Sequence, residues 1–103
     1  KGGLVQSLRR FADLQFDSLT ATVTVGEDRR DLRSREVRLL ELFLNAPGRI
    51  LSKEHLCDRL FSFSEPVTDN AIEVYVGRLR KKLTGSRARI ETVRGLGYRL
   101  TDG

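Results

Sequence analysis

Apolar and polar residues alternate along the first third of the chain. The segments 14–17 and 20–25 both follow this pattern, with leucine, phenylalanine, alanine or valine at every second position. A period of two places one apolar row on a buried face, so we predict half-buried antiparallel strands between residues 11 and 32. The Gly-Glu-Asp sequence at 26–28 predicts a turn, followed by a short third strand over 30–32.

The apolar period becomes helical from residue 34. Apolar residues then recur three or four positions apart, which predicts a first helix that ends at the Asn-Ala-Pro-Gly sequence of residues 45–48. A second helix is predicted from Ser52, a favourable N-cap residue, through Phe61.

A third helix is predicted over 69–83, with Thr68 or Asp69 as its cap, and a hairpin over 90–100 follows it. This order of elements predicts an α+β fold, a winged helix-turn-helix with an N-terminal antiparallel sheet, three helices and a C-terminal hairpin wing. We assign this domain to 11–102 and expect 1–10 to be a linker remnant from an upstream segment.

The third helix has two contrasting faces. Ile72, Val76, Leu79 and Leu83 form an apolar stripe, with Tyr75 at its edge, and this stripe is predicted to face the core. The opposite face mixes small, apolar and hydrogen-bonding side chains: Asn70, Val74, Gly77 and Lys81, flanked by Ala71 and Arg78. Such a mixture suits the DNA major groove, where asparagine can pair with adenine, arginine with guanine and a small apolar group with a thymine methyl. The alternative is that Val74 and Gly77 contact a neighbouring element or a second subunit.

The hairpin carries Arg94 at its tip. Gly95 and Gly97 permit the positive φ angles of a tight turn, so Arg94 should project from the domain and could enter a narrow minor groove. Thr92 and Tyr98 flank the turn and could donate hydrogen bonds to phosphates. An ordinary surface hairpin with a solvated arginine is the alternative, which the adjacent basic helix makes less favoured.

Charge is concentrated in the same region. The chain has a formal net charge of +5, whereas residues 77–99 alone carry eight cations and one anion, so the rest sums to −2. A basic block on a nearly neutral body is typical of proteins that bind polyphosphate, although a solvated surface would have the same composition.

Other classes of site find little support. The single cysteine, Cys57, cannot form an internal disulfide and reads as a packing residue, which favours a reducing, cytoplasmic setting. His55 and Cys57 lack companions at zinc spacing, and no catalytic set can be built around one histidine, so neither a metal nor an enzyme is expected. Gly95 and Gly97 lack the third glycine and the helix of a nucleotide-binding loop, so no cofactor is expected. The sequence contains no apolar run long enough to cross a membrane.

Four motifs together resemble the OmpR/PhoB-type winged-helix output domains of bacterial two-component response regulators. The resemblance covers residues 11–102. The motifs are LRSREVRLL at 32–40, PGRILS at 47–52, NAIEVYVGRLRKKL at 70–83 and IETVRGLGYRL at 90–100.

The resemblance implies a four-stranded N-terminal sheet, with the third helix as the recognition helix. It implies that one set of residues faces bases or phosphates in the major groove: Asn70, Ala71, Val74, Tyr75, Gly77 and Arg78. Arg80 and Lys81 would hold the DNA backbone, Arg94 would reach the minor groove, and Thr92 and Tyr98 would touch phosphates. Double-stranded DNA, in direct-repeat sites bound by a head-to-tail homodimer, is the implied partner.

Two further partners follow from the resemblance alone. An upstream receiver domain, phosphorylated on aspartate, would regulate the output domain. RNA polymerase would contact the loop formed by Ser62, Phe63, Ser64, Glu65, Pro66 and Val67.

The chain departs from its relatives at three positions. Arg33 replaces a threonine that commonly begins a capping box with Glu36, so Ser34 is expected to cap the first helix and start it later. Gly77 replaces a longer polar residue at a cost of about 1 kcal/mol of helix propensity relative to alanine. Phe61 stands where an indole is frequent and cannot donate a hydrogen bond to phosphate.

Two rival functions remain. The basic face could dock an acidic protein, which would make the domain a winged-helix protein-interaction module. Structured RNA is less favoured because only Tyr75 and Tyr98 could offer an exposed aromatic platform.

Overall fold

The computed structural model describes residues 8–62 and 70–103. Four antiparallel strands come first, in the spatial order in which they occur along the chain: β1 (Leu8–Phe11), β2 (Leu14–Asp17), β3 (Thr22–Val25) and β4 (Asp28–Asp31). Three helices and a hairpin follow: α1 (Ser34–Asn45), α2 (Lys53–Leu60), α3 (Ala71–Lys82), β5 (Ala88–Val93) and β6 (Gly97–Asp102). The predicted helices and the hairpin are confirmed.

The sheet has one strand more than the alternating pattern predicted. β1 begins at Leu8, so 8–10 of the segment assigned to a linker pair with β2. β4 covers 28–31 rather than the expected 30–32. β1 has two central arginines between Leu8 and Phe11, and β4 reads Asp-Arg-Arg-Asp. Neither strand has a buried apolar row, so an alternating apolar pattern could not reveal them. The four-stranded sheet implied by the family resemblance is confirmed.

The core lies between the inner face of the sheet and the three helices. Phe16 of β2, Leu40 and Phe43 of α1 and Leu79 of α3 are each fully buried. Each fully buried side chain of this size contributes about 1.5–3 kcal/mol through the hydrophobic effect. This core fixes the buried face of α3, and therefore also which of its faces is exposed.

The start of α1 corrects a prediction. The helix begins at Ser34, with Arg33 as its N-cap residue, so Ser34 is not the cap and the start is not delayed. The carboxylate of Glu36 accepts a hydrogen bond of 2.9 Å from the backbone N–H of Arg33. Glu36 therefore supplies its half of a capping box without a hydroxyl at the cap, because that bond needs only a backbone donor.

The ends of the other helices lie within one or two residues of their predicted positions. Ser52 is the N-cap of α2, as predicted, and its hydroxyl accepts a 3.1 Å hydrogen bond from the backbone N–H of His55. α2 ends at Leu60, and Phe61 is its C-cap. The N-cap residue of α3 is Asn70, so the prediction of Thr68 or Asp69 as the cap is wrong; both of those residues lie outside the described residues.

The hairpin of β5 and β6 is fastened to the segment between α1 and α2. Leu51 and Tyr98 exchange two backbone hydrogen bonds, of 2.7 and 2.9 Å, and the N–H of Gly48 donates to the carbonyl of Leu100 at 2.9 Å. Gly97 has a φ of +146°, and a Cβ at this position would lie 2.1 Å from the carbonyl oxygen of Leu51. Only glycine allows this close approach, which fixes the wing beside the helices.

Candidate nucleic-acid interface

The face of α3 that points away from the core is open to solvent. Asn70, Arg78 and Lys81 are exposed, Gly77 is half-buried, and Val74 is 41% exposed. The opposite stripe is buried as predicted: Ile72, Val76, Leu79 and Leu83. An uncovered valine within a polar helix face is consistent with an apolar contact to an external partner.

Gly77 lies near the middle of α3. A Cβ built there would meet no atom of the described residues within 4 Å. The glycine is therefore not required by packing inside the domain, and the helix backbone itself is accessible at this point.

Ala71 does not share the exposed face. It is 9% exposed and lies beside Ile72 in the first turn of α3. Its methyl group is therefore part of the buried side of α3, although the neighbouring Asn70 and Val74 are exposed.

Arg80 connects α3 to the hairpin. Its Nε and Nη2 atoms donate to the carbonyl oxygen of Ile90 at 3.0 and 2.7 Å, and Nη2 also donates to the hydroxyl of Thr92 at 2.8 Å. Its guanidinium carbon lies 5.9 Å from the ring centroid of Tyr98. Two of the three guanidinium nitrogens of Arg80 are therefore engaged within the domain. Arg80 is nevertheless exposed, and its expected contact with the DNA backbone stays a prediction.

Lys81 differs from its neighbour. It is exposed, and none of the described residues forms a hydrogen bond or ion pair with its ammonium group. Arg80 and Lys81 project about 100° apart around the helix. Arg80 therefore reaches the hairpin, whereas Lys81 points to solvent.

Tyr75 belongs to a cluster of aromatic rings and cations beside α3. Its ring lies 5.8 Å from that of Phe61, centroid to centroid, at 57°. The guanidinium carbons of Arg78 and Arg35 lie 5.4 Å from the Tyr75 ring and 4.4 Å from the Phe61 ring. The cluster holds Arg78 at the edge of the exposed face. Phe61 thus has a packing role that needs no indole N–H.

The tip of the hairpin projects into solvent. Arg94 is exposed, Gly95 has a φ of +76°, and Leu96 is 60% exposed. Thr92 is exposed although it accepts the bond from Arg80, whereas Tyr98 is only 3% exposed. The tip is therefore accessible at Arg94. Tyr98, for which a phosphate contact is predicted from the family resemblance, packs inside the domain.

A groove separates the wing from the helices. It is lined by residues of the hairpin tip, including Arg94, and by Lys53 and Glu73. The ammonium of Lys53 lies 3.0 Å from the carboxylate of Glu73, and this ion pair raises the pKa of Lys53. Neither residue could be predicted from the sequence, because an exposed pair on different helices, 20 positions apart, gives no local signal.

Four cations line a second groove beside the C-terminal half of α3. They share it with the carboxylate of Glu36 and comprise Arg33, Arg78, Lys81 and Lys82. From the sequence, Arg33 is notable only for replacing the threonine of a capping box. Its position near Arg78 extends the positive surface beyond α3, which only the folded chain reveals.

Two other kinds of feature, a metal site and a membrane-spanning helix, find no support in the described residues. No cluster of three potential metal-binding side chains occurs in the parts of the chain that the structure describes. Across those same segments, no helix has the length and apolar character needed to span a bilayer. Cys57 packs against the core, and burial raises the pKa of its thiol. Of the loop predicted to contact polymerase, Ser62 is exposed and residues 63–67 lie outside the described residues.

Comparison with known proteins gives a consistent result. The family described as "Transcriptional regulatory protein, C terminal" matches residues 26–100. The response regulator MprA of Mycobacterium tuberculosis is 40% identical over 95 residues, which are 90% of this chain and 41% of that protein. This chain thus spans less than half the length of the curated relatives it matches.

Solved structures with the same fold include two related proteins. The DNA-binding domain of Klebsiella pneumoniae RstA, crystallised in complex with the RstA box, superposes with a TM-score of 0.80 at 26% identity, covering 95% of this chain and 100% of that one. DrrB of Thermotoga maritima, described as an OmpR/PhoB homolog, superposes with a TM-score of 0.79 at 27% identity, covering 93% of this chain and 45% of that one. The chain therefore belongs to the OmpR/PhoB-type family of C-terminal winged-helix domains of transcriptional regulatory proteins.

Proposed function

We propose that this domain binds double-stranded DNA in a sequence-specific manner and thereby regulates transcription. α3 enters the major groove and the hairpin tip reaches the adjacent minor groove. The observation that carries the proposal is the open face of α3, where Asn70, Val74 and Arg78 are exposed beside an accessible Gly77.

The chemistry of each exposed side chain on this surface suits it to a different part of the duplex. Asn70 and Arg78 have the donors and acceptors that read base edges, and Val74 can meet a thymine methyl group. Lys81 supplies a charge for the phosphate backbone. Arg94 carries a guanidinium at an exposed tip, which suits the negative potential of a narrow minor groove.

The wider setting is part of the same proposal. We infer that the domain is the output half of a cytoplasmic two-component response regulator, because relatives of more than twice its length are named response regulators. A receiver domain upstream would control it, RNA polymerase would contact the loop at 62–67, and two copies would bind direct repeats head to tail. The domain acts by binding and not as an enzyme, and it requires no cofactor.

Selection of bound sequences from a random duplex pool tests the proposal. The selected duplex and a scrambled duplex of equal length are then compared by gel shift at physiological salt. The expected result is a preference of about 10³ or more for the selected duplex, the lower end of the range for specific DNA binding. Equal affinity for the two duplexes would overturn the proposal and favour an interaction module with an acidic protein partner.

A further inference from the structure

One arginine of the N-terminal sheet holds the C-terminal end of α3. Nη1 of Arg30 donates to the carbonyl oxygens of Lys82, at 2.8 Å, and Thr84, at 2.6 Å. The carboxylate of Asp28 orients the guanidinium by accepting from Nε at 3.1 Å and from Nη2 at 2.9 Å. The final carbonyls of a helix lack intrahelical donors and lie at the negative end of its dipole, so a cation there stabilises and fixes the end of α3.

One aspartate of the same sheet holds the start of the hairpin. Asp13, in the turn between β1 and β2, accepts from the hydroxyl of Ser86 at 2.5 Å and from the backbone N–H of Arg87 at 2.9 Å. The Ser86 hydroxyl in turn accepts from the N–H of Ala88, the first residue of β5, at 2.9 Å. These bonds to Ser86 and Arg87 lower the pKa of Asp13, so the carboxylate is charged at neutral pH.

We call Arg30 and Asp13 the sheet clamp. Their side chains form hydrogen bonds at the two ends of the short connector at 83–87, which joins α3 to β5. All three guanidinium nitrogens of Arg30 already carry hydrogen bonds, and its side chain is only 23% exposed. Four of the five N–H donors of Arg30 are therefore engaged within the domain, so this guanidinium serves the fold more than it could serve a phosphate.

Taking the proposed DNA-binding function as given, we propose that the sheet clamp sets the position of α3 relative to the wing, so that both elements engage one duplex at the same time. Arg30 and Asp13 are positioning residues in this proposal. Specific binding needs the side chains of α3 and the wing in register with the bases, whereas non-specific binding depends mainly on the number of nearby positive charges. Release of the clamp therefore lowers specific affinity more than non-specific affinity.

The two clamp residues have opposite charges, which makes the test sharp. Arg30→Ala removes a cation and Asp13→Ala removes an anion, so electrostatics alone would weaken DNA binding in the first variant and strengthen it in the second. The proposal predicts that both variants lose affinity for the selected duplex, by about 3-fold to 30-fold, as expected for residues coupled to a site they do not touch.

The sheet itself supplies matched controls. Arg29→Ala removes the same charge from the position next to Arg30. Residues alternate between faces along a strand, and Arg30 pairs with the buried Val23, so Arg29 lies on the opposite face of the sheet. Glu27→Ala removes an anion from the neighbouring turn. Arg29 and Glu27 are exposed, and no described residue forms a hydrogen bond or ion pair with their side chains.

The measured quantity is the ratio of affinity for the selected duplex to affinity for the scrambled duplex. The proposal predicts a lower ratio for both clamp variants and an unchanged ratio for both controls. It is overturned if Arg30→Ala weakens both duplexes equally, as Arg29→Ala would, or if Asp13→Ala tightens binding. Wild-type protein without any preference would instead overturn the DNA-binding function on which the clamp rests.

Two milder variants keep the test valid if an alanine variant does not fold by circular dichroism. Arg30→Lys keeps the charge but loses the planar fork that reaches Asp28 and both carbonyls. Ser86→Ala keeps Asp13 but removes one of its donors. Neither changes the net charge, so a reduced ratio supports the clamp and an unchanged ratio in both contradicts it.

Discussion

Replacement of Gly97 by alanine tests the contact that fixes the wing beside the helices. The added Cβ would lie 2.1 Å from the carbonyl oxygen of Leu51, 2.8 Å from its carbonyl carbon and 2.9 Å from the Cα of Ser52, all of them backbone atoms. None of these atoms can rotate away, so the strands must separate.

The magnitude has two parts. A non-glycine residue at a φ of +146° is strained by about 1–3 kcal/mol. Separation of the chains also loosens the two Leu51–Tyr98 backbone hydrogen bonds, each worth about 0.5–1.5 kcal/mol net. Gly97→Ala should therefore lower the free energy of unfolding by about 2–6 kcal/mol, a large fraction of the 5–15 kcal/mol typical of a domain.

Gly95→Ala is the matched control, two residues away in the same turn. Gly95 has a φ of +76°, but no described atom lies within 4 Å of its added Cβ. Only the left-handed strain remains, about 1–2 kcal/mol. Urea unfolding followed by circular dichroism measures both variants. A loss for Gly97→Ala no larger than that for Gly95→Ala would refute the close approach to Leu51.

Three further predictions concern single side chains. Gly77→Ala should stabilise the domain by about 1 kcal/mol in thermal unfolding, because helix propensity improves and no described atom blocks the Cβ, yet weaken binding to the selected duplex if the helix backbone approaches DNA there; a variant that is stabilised and binds unchanged would remove Gly77 from the interface. Lys81→Ala should reduce the slope of log affinity against log salt by about 1 on both selected and scrambled duplexes, whereas an unaltered slope would show that Lys81 contacts no phosphate. The bonds to Ser86 and Arg87 lower the pKa of Asp13 in the folded protein below its ordinary value of 3.8. These bonds therefore stabilise the fold at any pH above 3.8, and that stabilisation is lost as the pH falls through the lowered pKa. The melting temperatures of wild type and Asp13→Ala should therefore differ most at neutral pH and converge in acid, and a constant difference across that range would contradict the assigned bonds.

The helices and the hairpin could be predicted from sequence because local signals specify them. The stripe of Ile72, Val76 and Leu79 has helical period, and glycines mark the hairpin tip. β1 and β4 could not be predicted in this way. Their charged residues pair through backbone hydrogen bonds, which every residue except proline can donate and which leave no apolar pattern in the sequence.

The interface could be predicted in outline but not in every member. Arg80 and Lys81 are adjacent cations, and only the fold shows that Arg80 donates to the carbonyl of Ile90 while Lys81 remains available. Contacts between residues far apart in the sequence could not be predicted either. Asp13 and Ser86 lie 73 positions apart and meet because the sheet packs beside the connector between α3 and the wing.

The central claim is that the exposed face of α3 reads bases, and a binding profile over all single-base variants of the selected duplex tests it most directly. Wild type and Arg78→Ala are measured side by side at one salt concentration. We predict that Arg78→Ala costs about 1–3 kcal/mol on the selected duplex and loses discrimination at a single base position, while the remaining profile is preserved. A profile that keeps its shape at every position, with affinity lowered uniformly or not at all, would contradict the claim that Arg78 reads a base.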